Sequence, residues 1–307
     1  MQRTMRHNIV PLLLGACWIA NCVAQEPARR AAREFDAGRS EVYKTIGDVR
    51  LKMFIVQPEG HKPTDRRAAI VFFFGGGWRG GSPAQFAEHC KYLASRGMVA
   101  MSADYRVRSR HGTLADSCVH DAKSAIRWVR ANADRLGIDP DRIVAAGGSA
   151  GGHLAACTGV IRDFDEPGED TSISSAPNAM ALFNPALVLA PVGDYGKDSR
   201  RLAGMGERMG VEPKKLSPYH HVRGGLPPTV VFHGTDDRTV ALVTAEMFRD
   251  AMQDAGNSCQ LHAYPGQGHG FFNYNRDGGA MYRATLRSLD EFLIDLGYLQ
   301  GSPTVAQ

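Results

Sequence analysis

Residues 69–74 read Ala-Ile-Val-Phe-Phe-Phe and run directly into Gly75-Gly76-Gly77-Trp78-Arg79-Gly80-Gly81. Six apolar residues without a polar break do not alternate between core and solvent, so they suit a strand buried on both faces. Such a strand needs a parallel sheet with helices over each side. The rest of the chain supplies those parts. Phe86–Ser95 reads as helix, Met98–Asp104 as strand, and Leu114–Leu136 as one long helix with Val119, Ala122, Ala125, Ile126 and Val129 near helical spacing. Gly137, with Pro140 beyond it, is a helix stop. Ile143–Ala146, Thr229–His233 and Cys259–Tyr264 read as strands; Ala150–Ile161, Val240–Ala255 and Met281–Leu296 read as helices. Upstream, EVYKTI and LKMFIV flank Gly47-Asp48 and predict an antiparallel hairpin over Glu41–Gln57. The fold class is therefore α/β, with a mostly parallel central sheet, helices on both faces and an N-terminal hairpin. Residues 162–178 and 184–227 break the alternation and are expected to be loops or a small cap beside the site.

Composition narrows the function. Hydrophobic residues make up 43% and charged residues 22% of the 307, which excludes a disordered chain. The net charge of +4, from 36 basic and 32 acidic residues, is too small an excess to point to a nucleic-acid partner. The longest apolar run, Ile9–Ala20, is too short to span a bilayer, so no stable membrane insertion is expected. It is instead the centre of a secretory signal peptide. Arg3 and Arg6 precede it, no Asp, Glu, Lys or Arg occurs from His7 to Gln25, and Cys22-Val23-Ala24 ends in small residues suited to cleavage after Ala24. Leu14-Gly15-Ala16-Cys17 resembles a lipobox, so a lipoprotein cut at Cys17 is the alternative. The expected organisation is a signal peptide over 1–24, a lead-in over 25–40, one domain over 41–299 and a tail over 300–307. The expected location is the periplasm or the medium. Cys90, Cys118, Cys157 and Cys259 remain in the mature chain. Their spacing fits no zinc pattern, and one or two disulfides or four buried thiols both suit it.

The chemistry centres on Gly147-Gly148-Ser149-Ala150-Gly151-Gly152. It contains G-x-S-x-G, follows the strand RIVAA and opens a helix, the setting of a nucleophile elbow. Glycines are needed because a Cβ would clash in so sharp a turn. The helix N-terminus and the Ala150 N–H would face developing negative charge. A serine needs a base. His269, between Gly268 and Gly270 in a loop just after a strand, is the candidate. An acid must hold that histidine, and Asp236 or Asp237, just past the strand ending at His233, can serve. The Gly75-Gly76-Gly77 loop offers unobstructed backbone N–H groups to a substrate carbonyl. It lacks the G-K-[ST] ending of a phosphate loop.

Taken with FFFGGGWRGGSP, SADYRV, AAGGSAGGHLAA, VFHGTDDRTV and YPGQGHGFF, in that order, the chain resembles the α/β-hydrolase family from about Glu41 to Leu299. Within it, the chain is most similar to secreted bacterial serine carboxylesterases of the acetyl-xylan-esterase-like and feruloyl-esterase-like kind, with an HGGG-type loop. The resemblance implies Ser149 as nucleophile, His269 as base, and Asp237 as acid through the H-G-x-x-D spacing from His233. It also implies Gly76, Gly77 and Ala150 as oxyanion donors, His153 as a packed structural histidine, and no metal or cofactor; Trp78 is expected to line the pocket, with a tryptophan packed within the loop as the alternative. One departure stands out: Phe74 occupies the place where the family's loop begins with His. The expected activity is hydrolysis of short-chain esters, acetyl above all, on a small-molecule or carbohydrate alcohol. An amide or peptide hydrolase of the aryl-formamidase or prolyl-peptidase kind, and a non-catalytic binding protein, are the alternatives.

Overall fold

The computed structural model describes residue 2 and residues 35–305. The expected signal peptide, its cleavage after Ala24 and the Cys17 lipobox lie outside the described residues. The unit beginning at Ala32 is built on one eight-stranded sheet with the order β1-β2-β4-β3-β5-β6-β7-β8. The strands are β1 (Arg39–Ile46), β2 (Val49–Val56), β3 (Arg67–Phe73), β4 (Val99–Ala103), β5 (Ile138–Gly148), β6 (Ala179–Phe183), β7 (Thr229–Gly234) and β8 (Cys259–Tyr264). β1 and β2 form the expected hairpin about Gly47-Asp48, and β2 meets β4 antiparallel. All pairings from β4 to β8 are parallel.

The apolar run that opens the glycine loop behaves as its composition requires. Ala69, Val71 and Phe73 join the core on one face of the sheet, Ile70 and Phe72 the core on the other. Helices α1 (Ala87–Ser95) and α9 (Ala280–Asp295) send Cys90, Leu93, Leu286 and Leu289 into the second core. Helices α3 (Ala115–Ala131) and α5 (Ala150–Val160) send Val119, Ile126, Leu154 and Cys157 into the first, as does α8 (Leu242–Asp254) with Phe248. Short helices α2 (Arg108–His111), α4 (Ala133–Leu136), α6 (Arg200–Ala203) and α7 (Gly206–Met209) complete the set among the described residues.

Four details depart from the sequence expectation. The long helix over Leu114–Leu136 is divided at Asn132, whose backbone (φ −106°, ψ 14°) leaves the helix while its side-chain amide donates to Trp128 O at 2.8 Å. The strand expected at Ile143–Ala146 starts five residues earlier, because Ile138 pairs with Arg67 before a register shift. The expected domain start at 41 falls inside β1, which begins at Arg39. β6 went unread: its five residues AMALF are short, yet all are buried between β5 and β7.

The two irregular stretches differ in place. Residues 162–178 run from the C-terminal end of α5 to the start of β6, at the amino end of the parallel strands and away from Ser149. Lys123 pins them by donating to Arg162 O (3.0 Å) and Asp163 O (2.6 Å). They are not beside the site. Residues 184–227 leave the carboxyl end of β6, where open α/β sheets place ligands, and carry α6 and α7. Leu187, Leu189, Met205, Met209 and Leu216 fix this cap to the core. Among the described residues, Cys90, Cys118, Cys157 and Cys259 are all free and buried, which resolves the alternatives left by their spacing. No described helix is long and apolar enough to cross a membrane.

Candidate active site

β5 ends at Gly148 and α5 begins at Ala150, so Ser149 alone makes the turn. Its backbone sits at φ +55°, ψ −117°, a conformation L-residues rarely adopt. The neighbours explain the glycines. A Cβ on Gly151 would lie 2.0 Å from Phe73 O, one on Gly147 2.4 Å from Gly151 O, and one on Gly148 2.5 Å from the Phe272 ring. The helix therefore packs backbone-to-backbone on the end of β3. Ser149 N–H donates to Phe183 O at 2.8 Å, so β6 also holds the turn.

Three side chains named by the motifs form one hydrogen-bonded row. Ser149 Oγ lies 2.9 Å from His269 Nε2, and His269 Nδ1 lies 2.7 Å from Asp237 Oδ2. Ser149 comes from the β5–α5 turn, Asp237 from the loop after β7 and His269 from the loop after β8. The other carboxylate oxygen, Asp237 Oδ1, accepts the N–H groups of Thr239 and Val240, both at 2.8 Å. Burial pushes this carboxyl up, but hydrogen bonds from His233, His269 and the Val240 N–H outweigh it and hold the group well below the ordinary carboxylate range. Asp237 is 7% exposed, whereas Asp236 points to solvent and accepts from Thr235 Oγ1 at 3.1 Å. The two adjacent aspartates are thus separated by the geometry: only Asp237 reaches the imidazole.

The glycine loop lies against the serine. A Cβ on Gly75 would stand 3.4 Å from Ser149 Cβ. Gly76 (φ +131°) and Gly77 (φ +61°) take backbone angles that L side chains rarely adopt. Among the described residues, no backbone hydrogen bond of the turns, loops and caps uses the N–H of Gly76, Gly77 or Ala150. Phe74 braces the loop in place of a histidine. It stacks on Tyr105 with ring centroids 4.0 Å apart, while Tyr105 O–H donates to Phe74 O at 2.7 Å.

Trp78, expected to line the pocket, is turned inward and only 4% exposed. Its indole N–H donates to His153 Nδ1 at 3.1 Å, and the His153 Nε2–H is thereby free to donate to Leu216 O at 2.7 Å. Burial, partly offset by the Leu216 bond, lowers the His153 pKa to about 4, so it is neutral at neutral pH. Glycine loop, elbow helix and cap are tied together through these two rings. No described group of three or more His, Cys, Asp and Glu side chains is arranged to hold a metal ion.

A small cleft of about 40 Å³ opens between cap and core, lined by Ala186, Val188, Tyr195, Leu202, Met205 and Val240. Two of its lining residues touch the row through backbone, Ala186 N–H at 3.5 Å from Ser149 O and Val240 N–H donating to Asp237 Oδ1, but Ser149, Asp237 and His269 do not line it.

Three further side chains that the sequence did not single out surround His269. Asn184 Oδ1 accepts the Gly270 N–H at 2.9 Å; Asn273 Nδ2 donates to Gly270 O at 2.7 Å; Arg276 donates to His269 O at 3.1 Å. Their partners are backbone atoms, which carry no residue identity, so no motif announces them.

Known proteins fit this picture. The BD-FAE family model matches residues 54–252, and a dienelactone hydrolase family model matches residues 211–294. Esterase LipC of Mycobacterium tuberculosis is 30% identical over 73% of this chain, which spans 58% of LipC. Carboxylesterase NlhH of Mycobacterium tuberculosis is 30% identical, with 73% of each chain covered. Esterase 2 of Thermogutta terrifontis is 53% identical in a structure phosphonylated by cyclosarin, with a TM-score of 0.82, 88% of this chain and 98% of that one covered. A propionate-bound structure of the same esterase gives 54% identity and a TM-score of 0.83, with the same coverage. The chain belongs to the BD-FAE family of α/β-hydrolase-fold carboxylesterases.

Proposed function

We propose that this chain is an exported serine esterase that hydrolyses short-chain carboxylic esters, acetyl esters foremost. The observation that carries the reading is the Ser149–His269–Asp237 row, with Ser149 lifted on a strained turn at the carboxyl end of the sheet. In the proposed reaction His269 Nε2 takes the Ser149 proton as Oγ attacks the ester carbonyl. Asp237, ionised and buried, holds the proton on Nδ1 and stabilises the imidazolium. The N–H groups of Gly76, Gly77 and Ala150 receive the oxyanion; losing one such donor typically costs about 100- to 1000-fold in rate. His269 then protonates the leaving alcohol, and water releases the acid by the same route.

The short-acyl preference is supported by the propionate and butyrate bound in structures of the similar Thermogutta esterase. Export rests on Arg3, Arg6 and the uncharged stretch from His7 to Gln25. A carbohydrate alcohol would suit an exported esterase.

The test uses protein recovered from the periplasm or medium, with its N-terminus read before assay. A first residue of Gln25 and 4-nitrophenyl acetate cleaved much faster than the octanoate are expected. Absence of the protein from periplasm and medium would refute export, retention of Met1 would refute cleavage after Ala24, and equal or reversed rates would refute the short-acyl preference.

A further inference from the structure

The glycine loop and the histidine loop are joined by a chain of side-chain amides. Gly75 N–H donates to Gln85 Oε1 at 2.6 Å, Gln85 Nε2 donates to Asn273 Oδ1 at 2.9 Å, and Asn273 Nδ2 donates to Gly270 O at 2.7 Å. The polarity of this chain is fixed at both ends. A backbone N–H only donates and a backbone carbonyl only accepts, so neither amide can flip without setting two donors or two acceptors face to face. Gln85 and Asn273 are 188 positions apart and lie on opposite sides of the serine turn in the chain. At the far end Gly270 is clamped from its other side as well, since its N–H donates to the fully buried Asn184.

The two loops leave distant strands, and beside the amides the described residues join them through Phe86, which stacks on Phe272 with ring centroids 5.9 Å apart, and through Ser149. One follows β3, the other follows β8, and β5, β6 and β7 stand between them in the sheet. Yet both must act on one ester group at once, the N–H groups on its carbonyl oxygen and His269 on Ser149 Oγ and the leaving oxygen. We propose that Gln85 and Asn273 are positioning residues. Their amide relay sets the distance between the oxyanion-binding N–H groups and His269, without touching substrate. The proposal rests on the esterase reading above.

The test is a double-mutant cycle on 4-nitrophenyl acetate with Gln85→Met, Asn273→Leu and the double variant, each also followed by thermal melting. Each single change should lower kcat about 10- to 100-fold, the scale of a misplacement of about 1 Å. KM should stay within about threefold, because the lost contact acts on the transition state and not on ground-state binding. The double variant should be no slower than the slower single one, since either break releases the same constraint. Losses that multiply in the double variant, a kcat within about twofold of wild type in either single variant, or a loss that only tracks the unfolded fraction would overturn the proposal. A wild type that turns over no ester overturns the esterase reading, and this proposal with it.

Discussion

Ser149 and His269 stand 2.9 Å apart but are held in opposite ways. The serine is placed by backbone. Its turn exists because Gly147, Gly148 and Gly151 have no Cβ to strike Gly151 O, the Phe272 ring and Phe73 O. The histidine is placed by side chains. Asp237 holds its ring, Arg276 its carbonyl, and Asn184 and Asn273 the N–H and carbonyl of the next residue, Gly270. A backbone-built position fails by not folding, because an added atom must displace main chain or, at Gly148, the buried Phe272 ring. A position built from side chains fails by degrees, because each contact can be lost while the fold stays.

The largest effect that separates the two modes is expected at Asp237. Asp237→Asn should lower kcat about 10⁴-fold, as loss of the tautomer-fixing acid does elsewhere, with native circular dichroism retained. Asp236→Asn should change kcat less than about threefold, since its carboxylate faces solvent. A larger loss at Asp236 than at Asp237 would break the assignment. The melts of Asp237→Asn carry a pH signature. The folded carboxyl titrates below its unfolded value of about 3.9, so its stabilisation is complete above that pH and is lost as pH falls further. The Tm gap from wild type should hold from about pH 5 to pH 8 and narrow below about pH 4.

A smaller effect, in free energy, is expected on the serine side. Gly151→Ala adds one methyl that would meet Phe73 O at 2.0 Å and Phe74 O at 2.4 Å. Overpacking of this kind costs about 1–3 kcal/mol or more, read as a lower Tm and a lower folded yield. A Gly151→Ala protein that melts like wild type but is inactive would show that the turn is not held by steric exclusion, and the contrast would fail.

The same contrast explains what was legible in the sequence. Glycine-limited positions leave a linear signature, so G-G-S-A-G-G after a strand marked the turn, whereas Asp236 and Asp237 were told apart only by the family resemblance. The parallel sheet was legible because a run such as Ile70-Val71-Phe72 serves two cores at once. Side-chain scaffolding was not. Gln85 acquires its role from Asn273 across 188 positions, and nothing local distinguishes it from a solvent glutamine. Phe74 read as a missing histidine, but its partner Tyr105 turns the gap into an aromatic stack. Trp78 suited either pocket lining or packing within the loop from sequence, and its buried indole, bonded to His153, fits the packed reading. β6 escaped because five apolar residues between two irregular stretches carry too little periodicity to register.

The central claim is that Ser149 is the nucleophile, and covalent trapping tests it most directly. Wild-type and Ser149→Ala proteins would be treated with a fluorophosphonate probe, weighed intact and mapped by peptide, alongside turnover of 4-nitrophenyl acetate. The account predicts one adduct on the peptide bearing Ser149, none on the variant, and turnover reduced by at least about 10⁴-fold. A Ser149→Ala protein that still takes up the probe, or keeps turnover within about tenfold of wild type, would contradict it.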